Sequence, residues 1–150
     1  MYYDGKGVKQ DYLEAKKWFQ LAANQGDSMA QSRLGAMYYF GKGVKQDYFE
    51  AKNWFQLAAN QGDSMAQIML GSMYYDGKGV KQDYFEAKNW FQLAADLGNA
   101  RAYCLLGIMY QEGKGVKQSY RKAKEFYGIS CDLGVQVGCD NYKELNLKGY

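Results

Sequence analysis

One block of 36 residues recurs along almost the whole sequence. The stretch from Met37 to Ser72, MYYFGKGVKQDYFEAKNWFQLAANQGDSMAQIMLGS, returns almost unchanged from Met73 and more loosely from Met109, and an earlier copy begins at Met1. A fixed period of this size is typical of stacked helical units, in which each unit packs on its neighbours. The chain is therefore expected to form a linear stack without one central core.

Each block is predicted to hold two helices separated by a glycine turn. Apolar side chains recur at helical spacing from Ser28 to about Phe40, which predicts a first helix, called helix A. A Gly-Lys-Gly turn ends it. Asp47, with Glu50 three residues later, is then typical of the start of a second helix, called helix B, which extends to about Asn60. A glycine followed by an aspartate, as at 62–63, separates one pair of helices from the next.

Helix B is predicted to supply most of the stability. Each fully buried large side chain contributes about 1.5–3 kcal/mol, and helix B carries both aromatic and small residues on one face. Gly35 lies inside helix A despite a cost of roughly 1 kcal/mol, so we expect a neighbouring helix to approach closely there. The predicted buried face of helix B comprises Ala51, Trp54, Phe55, Ala58 and Ala59.

The copies divide the chain into a partial unit, three whole units and a closing helix. The first residues, MYYDGKG, resemble the end of a helix A, which suggests a fragment of a longer chain. The last helix, starting near 136, is more polar than its equivalents, as the end of a stack requires. The predicted units are 1–26 (with helix B at 11–24), 27–62, 63–98, 99–134 and a C-terminal capping helix over 135–150.

Composition argues against several classes of function. The chain has no histidine and its three cysteines are scattered, so neither a metal site nor a cofactor is expected. The formal charge of +3 is too small to indicate nucleic-acid binding. No apolar run approaches the roughly 20 residues that a membrane span needs. The N-terminus also lacks the basic-then-apolar layout of a signal peptide.

The positions that recur in register resemble a known family. They resemble the Sel1-like repeat, a relative of the tetratricopeptide repeat, over essentially the whole chain. The residues that carry the resemblance are Ala30…Leu34-Gly35…Tyr38…Gly41-x-Gly43-Val44…Asp47…Ala51…Trp54-Phe55…Ala58-Ala59…Gly62. The resemblance implies an all-α fold, an α/α superhelical solenoid whose concave surface is lined mainly by helix A and binds proteins or peptides. Bacterial members resemble adaptors. The fold carries no fixed chemistry, so no enzyme activity is expected.

Differences between the copies gather on helix A, whereas helix B is nearly constant between Asp47–Ala59 and Asp83–Ala95. In the family's geometry, the varied positions would line the concave face and contact a partner; the alternative is drift after duplication, at positions where packing is indifferent. Changing Tyr39 and Tyr75 to alanine is expected to abolish partner capture and leave the helical CD signal intact. The predicted binding surface comprises Met29, Ser32, Ala36, Tyr39, Phe40, Met65, Ile68, Ser72, Tyr75, Asp76, Arg101, Cys104 and Ile108.

Lysines recur in two rows at the turns. Stacking would align them along one edge, where a basic rail would attract an acidic partner or anionic lipid. The simpler interpretation is that they solvate the turns, because carboxylates such as Asp47 and Asp83 lie nearby. The rows are Lys6, Lys42, Lys78 and Lys114, and Lys9, Lys45, Lys81 and Lys117.

Cys131 and Cys139 flank the last turn between helices. Two helices meeting at a tight turn place such positions near the roughly 5.5–6 Å Cα separation of a disulfide. The spacing is similar to that of cysteine-rich Sel1-like proteins, which are secreted and carry one bridge per repeat; here Ala95 and Tyr103 stand at the equivalent places one unit earlier. A bridge would indicate the periplasm or secretion, and free thiols the cytoplasm. Cys104 is left over as a small buried or groove residue.

Two alternative functions stay open at this point. Ser119 and Lys122 form an S-x-x-K motif, the spacing of serine and lysine in penicillin-binding proteins and β-lactamases, and some cysteine-rich relatives are described as penicillin-binding or β-lactamase-like. The accompanying S-D-N and K-T-G tripeptides do not occur, and Ser119 stands where Asp83 caps the preceding helix B. The other alternative is an immunity or inhibitor protein that masks a toxin with its concave face.

Overall fold

The computed structural model describes residues 9–150, and this part of the chain is built from eight α-helices. The first residues, with the predicted end of a helix A and Lys6, lie outside the described range. None of the helices within it is long and apolar enough to cross a membrane. The helices are α1 (Lys9–Asn24), α2 (Ser28–Phe40), α3 (Tyr48–Asn60), α4 (Ser64–Asp76), α5 (Tyr84–Asp96), α6 (Ala100–Glu112), α7 (Tyr120–Asp132) and α8 (Gln136–Leu147).

The helices stack in chain order. Each one makes its main contacts with the helix before it and the helix after it. The buried apolar side chains form four separate clusters, drawn from α1–α2, α3–α4, α4–α6 and α6–α8. The core is therefore spread along the stack, and the predicted all-α solenoid is confirmed.

The glycines inside the helices A permit close packing, as predicted. A Cβ atom added to Gly71 would lie 2.6 Å from the ring of Phe91, closer than real Cβ contacts. The same approach recurs at Gly35, against Phe55, and at Gly107. Each helix A therefore lies directly against the aromatic ring of the helix B that follows it.

The turns between repeats follow the predicted cap chemistry. Gly26 and Gly62 have positive φ angles, and the side chains of Asp27 and Asp63 each accept a hydrogen bond of 2.8 Å from a backbone N–H three residues on. Val135 stands at the same place before α8 and makes no side-chain cap. The last helix consequently begins without the stabilisation that the earlier helices receive.

Two details predicted for helix B are wrong. The first copy, predicted over 11–24, begins two residues earlier, at Lys9. Trp54 is only half-buried, whereas Phe55 is fully buried. The Trp54 side chain packs against the cluster of α1 and α2. Trp18 occupies the equivalent place in α1, the first described helix, and is 60% exposed. Trp54 and Trp90 thus pack on the clusters of the preceding helices and are only partly buried.

Candidate binding surface

The predicted surface lies on α2, α4 and α6, the helices A of the three whole repeats. Met29, Met65 and Arg101 occupy equivalent positions of these helices, and all three line one open cavity of about 480 Å³. Residues one and two repeats apart therefore line one cavity on the helix-A side of the stack.

This first cavity, called the methionine cavity, is mainly apolar. Met29 and Phe40 are 67% and 54% exposed, and Met65 is 43% exposed. Methionine is flexible and polarisable, so it adapts to differently shaped partners. Six predicted surface residues contribute to the lining, which comprises Met29, Ser32, Arg33, Ala36, Phe40, Phe55, Asp63, Met65, Met69 and Arg101.

A second cavity, called the tyrosine cavity, opens between α4 and α6 and has a volume of about 230 Å³. The predicted residues that line it are Ser72, Tyr75, Asp76 and Ile108, together with Phe91 and Leu105. The two cavities therefore bring together ten of the predicted surface residues.

Six lining residues lie outside the predicted surface, and three of them belong to helices A. Arg33, Met69 and Leu105 share one helix-A position and differ between the copies. That difference is the signal that would find them.

Two residues of the predicted surface are buried, and their assignment to it is wrong. Ile68 is 5% exposed and Cys104 is 6% exposed. Ile68 packs with Phe91 of α5, and Cys104 packs with Tyr127 of α7, because this position faces the helix B of its own repeat. Burial raises the pKa of the Cys104 thiol, so the thiol stays protonated at neutral pH.

Tyr39 and Tyr75 are held by the turn lysines of the following repeat. Lys78 Nζ lies 3.4 Å from Tyr39 Oη and 5.6 Å from the ring centroid of Tyr39. Lys114 Nζ donates to Tyr75 Oη over 3.1 Å and lies 5.0 Å from that ring, and Tyr75 in turn donates to Glu112. Alanine at these tyrosines would weaken the joint between repeats, so the predicted capture test cannot separate binding from folding.

The contacts at Tyr75 also set the charge states around it. Burial and the hydrogen bond to Glu112 raise the pKa of the Tyr75 phenol. The hydrogen bonds from Tyr75 and Lys114 lower the pKa of the Glu112 carboxyl, and Lys114 Nζ lies 3.0 Å from it. At neutral pH the group is therefore a neutral phenol between an ammonium and a carboxylate. Lys78 and Lys114 thus belong to joints between repeats and do not form a free basic rail.

Ser119 and Lys122, the S-x-x-K pair, have structural partners. The Ser119 side chain accepts a hydrogen bond of 3.2 Å from the backbone N–H of Lys122 and caps α7. The Lys122 ammonium lies 5.3 Å from the ring centroid of Tyr110. Helix capping accounts for the motif. Within residues 9–150, no group of three or more potential ligands is placed to hold a metal ion.

The predicted disulfide is confirmed. Cys131 of α7 and Cys139 of α8 are bridged, with their Cα atoms 4.5 Å apart. Cys104 is a free, buried cysteine. The bridge ties the closing helix to the stack at the junction where Val135 provides no cap.

Comparisons with known proteins identify the repeat. The family model described as Sel1 repeat matches residues 1–27, 28–63, 64–99 and 100–135. A Sel1 repeat protein from Oxalobacter formigenes is 34% identical, with a TM-score of 0.84, over 100% of this chain and 70% of that chain. No curated protein sequence matches the chain.

Two further solved structures share the fold. A protective antigen present in uropathogenic Escherichia coli strains, described as displaying an SLR fold, is 38% identical with a TM-score of 0.91; the match covers 99% of this chain and 32% of that one. This chain therefore spans about a third of the length of the E. coli protein. The cysteine-rich protein B of Helicobacter pylori is 21% identical with a TM-score of 0.68, over 91% of this chain and 98% of that chain.

Proposed function

Since the chain belongs to the Sel1 repeat family, we propose that it is a binding module without catalysis of its own. Its partner is a protein or peptide segment that lies along α2, α4 and α6. One observation carries the proposal: two open cavities lie on the helix-A side of the stack, where α2 and α4 differ, whereas the helices B α3 and α5 are almost identical.

The size and lining of the cavities favour a peptide segment. The methionine cavity, at about 480 Å³, is open and large enough to accept a large apolar side chain of a peptide. Met29, Phe40 and Met65 leave apolar area in contact with water. Covering that area stabilises a complex by roughly 25 cal/mol per Å² before the costs of association.

A single charge in the methionine cavity tests the proposal. Met65→Glu introduces a carboxylate at an exposed position, and Phe49→Glu makes the same change at an exposed apolar side chain of α3, a helix B. Proteins that co-purify with the wild type are expected to be lost from Met65→Glu and kept by Phe49→Glu, at equal CD signal. Loss from Phe49→Glu alone would place the partner on the helix-B side and refute the proposal.

The disulfide favours an oxidising compartment, so we place the protein in the periplasm or outside the cell. Thiols counted on unfolded, unreduced protein from the native host are expected to number one, from Cys104. Three free thiols would instead assign the protein to the cytoplasm.

A further inference from the structure

We infer that the partner segment of the methionine cavity is an apolar peptide stretch that carries carboxylates beside its anchoring side chain. The inference rests on the proposed function and specifies the partner of the same surface. It follows from the way in which two guanidinium groups are combined with methionine side chains in one concavity.

The two arginines come from opposite sides of the cavity. Arg33 belongs to the first whole repeat and Arg101 to the third, and both line the same cavity as Met65 and Met69 of the repeat between them. The methionines therefore belong to the repeat between the two repeats that supply the arginines. Arginine binds carboxylates through paired, charge-assisted hydrogen bonds.

The lining of the cavity has two guanidinium groups and one carboxylate. Arg101 is exposed, and its guanidinium forms no ion pair with any residue in 9–150. The cavity has one carboxylate, Asp63, which already accepts a hydrogen bond of 2.8 Å from the N–H of Ala66. Arg33 makes other contacts within the chain, so Arg101 carries most of the argument. A concave site with excess positive charge attracts anionic groups.

The tyrosine cavity differs in this respect. Asp76 lies 3.9 Å from Lys78, and Glu112 lies 3.0 Å from Lys114. Asp76, the carboxylate in the lining, and Glu112, outside the lining, are both paired within the chain, so that cavity offers little charge selectivity. Recognition of a partner's carboxylates is therefore concentrated at Arg101, in the methionine cavity.

Packing of the stack does not require either arginine. The position of Arg101 is occupied by Met29 and Met65 in the other whole repeats, and Met69 stands one repeat after Arg33. Arg101→Met and Arg33→Met therefore convert each site to a side chain that the same fold already carries there. These variants remove the charge and keep an apolar lining.

Selection of peptides tests the inference on the full chain. Random 12-residue peptides displayed on phage are selected on the immobilised protein and resynthesised with a fluorophore, together with copies in which Asp and Glu become Asn and Gln. We expect selected peptides to carry a carboxylate within about three residues of a large apolar side chain. Arg101→Met should weaken the acidic peptide about three- to tenfold and leave its neutral copy unchanged. Lys117→Met, which removes an exposed cation at a distant turn, should change neither.

The outcomes separate this inference from the proposed function. Two outcomes would overturn the inference and leave the binding surface in place. In the first, Met65→Glu abolishes binding of the selected peptides, but these peptides lack acidic residues. In the second, Arg101→Met and Lys117→Met change the affinity of the peptides equally. Peptides that bind Met65→Glu as well as the wild type, or a selection that yields no peptide, would overturn both.

Discussion

The junction between α3 and α4 and the junction between α7 and α8 are equivalent in the repeat, but different chemistry holds them. At the first, Gly62 takes a positive φ and Asp63 caps the next helix with a hydrogen bond of 2.8 Å. At the second, Val135 makes no cap, and a disulfide joins Cys131 to Cys139. An internal helix is covered on two sides, whereas α8 packs against α7 alone among its main contacts. At this junction a covalent link takes the place of the side-chain cap.

The same contrast appears in the ring that packs on each helix A. Phe55 and Phe91 fill this place in the first two whole repeats, and Tyr127 fills it in the last. The Tyr127 hydroxyl donates a hydrogen bond of 2.7 Å to the side chain of Gln111, which stands where Tyr75 stands one repeat earlier. Burial raises the pKa of the Tyr127 phenol, so it remains a donor. The last repeat thus replaces an apolar contact by a matched polar pair.

The largest expected effect concerns the internal ring. Phe91→Ala removes a fully buried side chain and should lower the free energy of unfolding by about 3–5 kcal/mol, because the packed neighbours on both sides collapse only partly. Urea denaturation followed by CD measures it. Phe85→Ala, on the exposed side of the same helix, is the control and should stay within about 0.5 kcal/mol. Equal losses would contradict the internal packing described here.

The terminal junction should respond next. Replacing Cys131 and Cys139 together by alanine is expected to cost about 2–3 kcal/mol, the value for a loop of this length. Because repeats interact with their neighbours only, the loss should be local. Amide exchange should accelerate in α8 and stay unchanged in α4; faster exchange throughout the chain would show that the bridge stabilises the whole stack.

Glycine-to-alanine changes should have opposite signs in the two regions. Gly71→Ala is expected to destabilise the protein by about 1–3 kcal/mol, because the new Cβ would meet the Phe91 ring at 2.6 Å. Gly128 lies inside α7, and a Cβ there would be 3.4 Å from Tyr142, an ordinary contact. Gly128→Ala should therefore stabilise the last repeat by about 0.5–1 kcal/mol through helix propensity. Thermal unfolding of both variants decides the signs, and a gain at Gly71 would refute the close approach.

The smallest expected effect is a gain at a junction inside the stack. Gln61 Nε2 donates a hydrogen bond of 2.7 Å to Gln31 Oε1, but the equivalent acceptor Gln67 Oε1 is buried and receives no hydrogen bond from any described residue. The residue equivalent to Gln61 one repeat later is Leu97, whose side chain has no hydrogen-bond donor. Leu97→Gln should therefore raise stability by about 0.5–1.5 kcal/mol in urea denaturation.

A matched control exists one repeat later. Leu133 is equivalent to Leu97, and the position it would reach is occupied by Tyr103 in place of a glutamine. Leu133→Gln should bring no such gain. Equal gains from both variants would show that removal of an exposed leucine, and not the new hydrogen bond, is responsible.

Sequence reasoning predicts features that depend on neighbours in the chain. The cap at Asp63, the positive φ at Gly62 and the bridge across the last turn all follow from residues a few positions apart. It fails for Ile68 and Cys104, because helical spacing defines a face but not which neighbouring helix covers it. It also fails for the joints at Tyr39 and Tyr75, whose lysines lie one repeat further along the chain.

By itself, the sequence determined the repeat, its period and the places where helices begin and end, since these follow from hydrogen bonding and backbone freedom within a few residues. The tertiary structure alone decided which helix-A side chains face the concave side and which arginines share a cavity with the methionines. Arg33 and Arg101 stand two repeats apart, and only the stacking of α2, α4 and α6 brings them to one site.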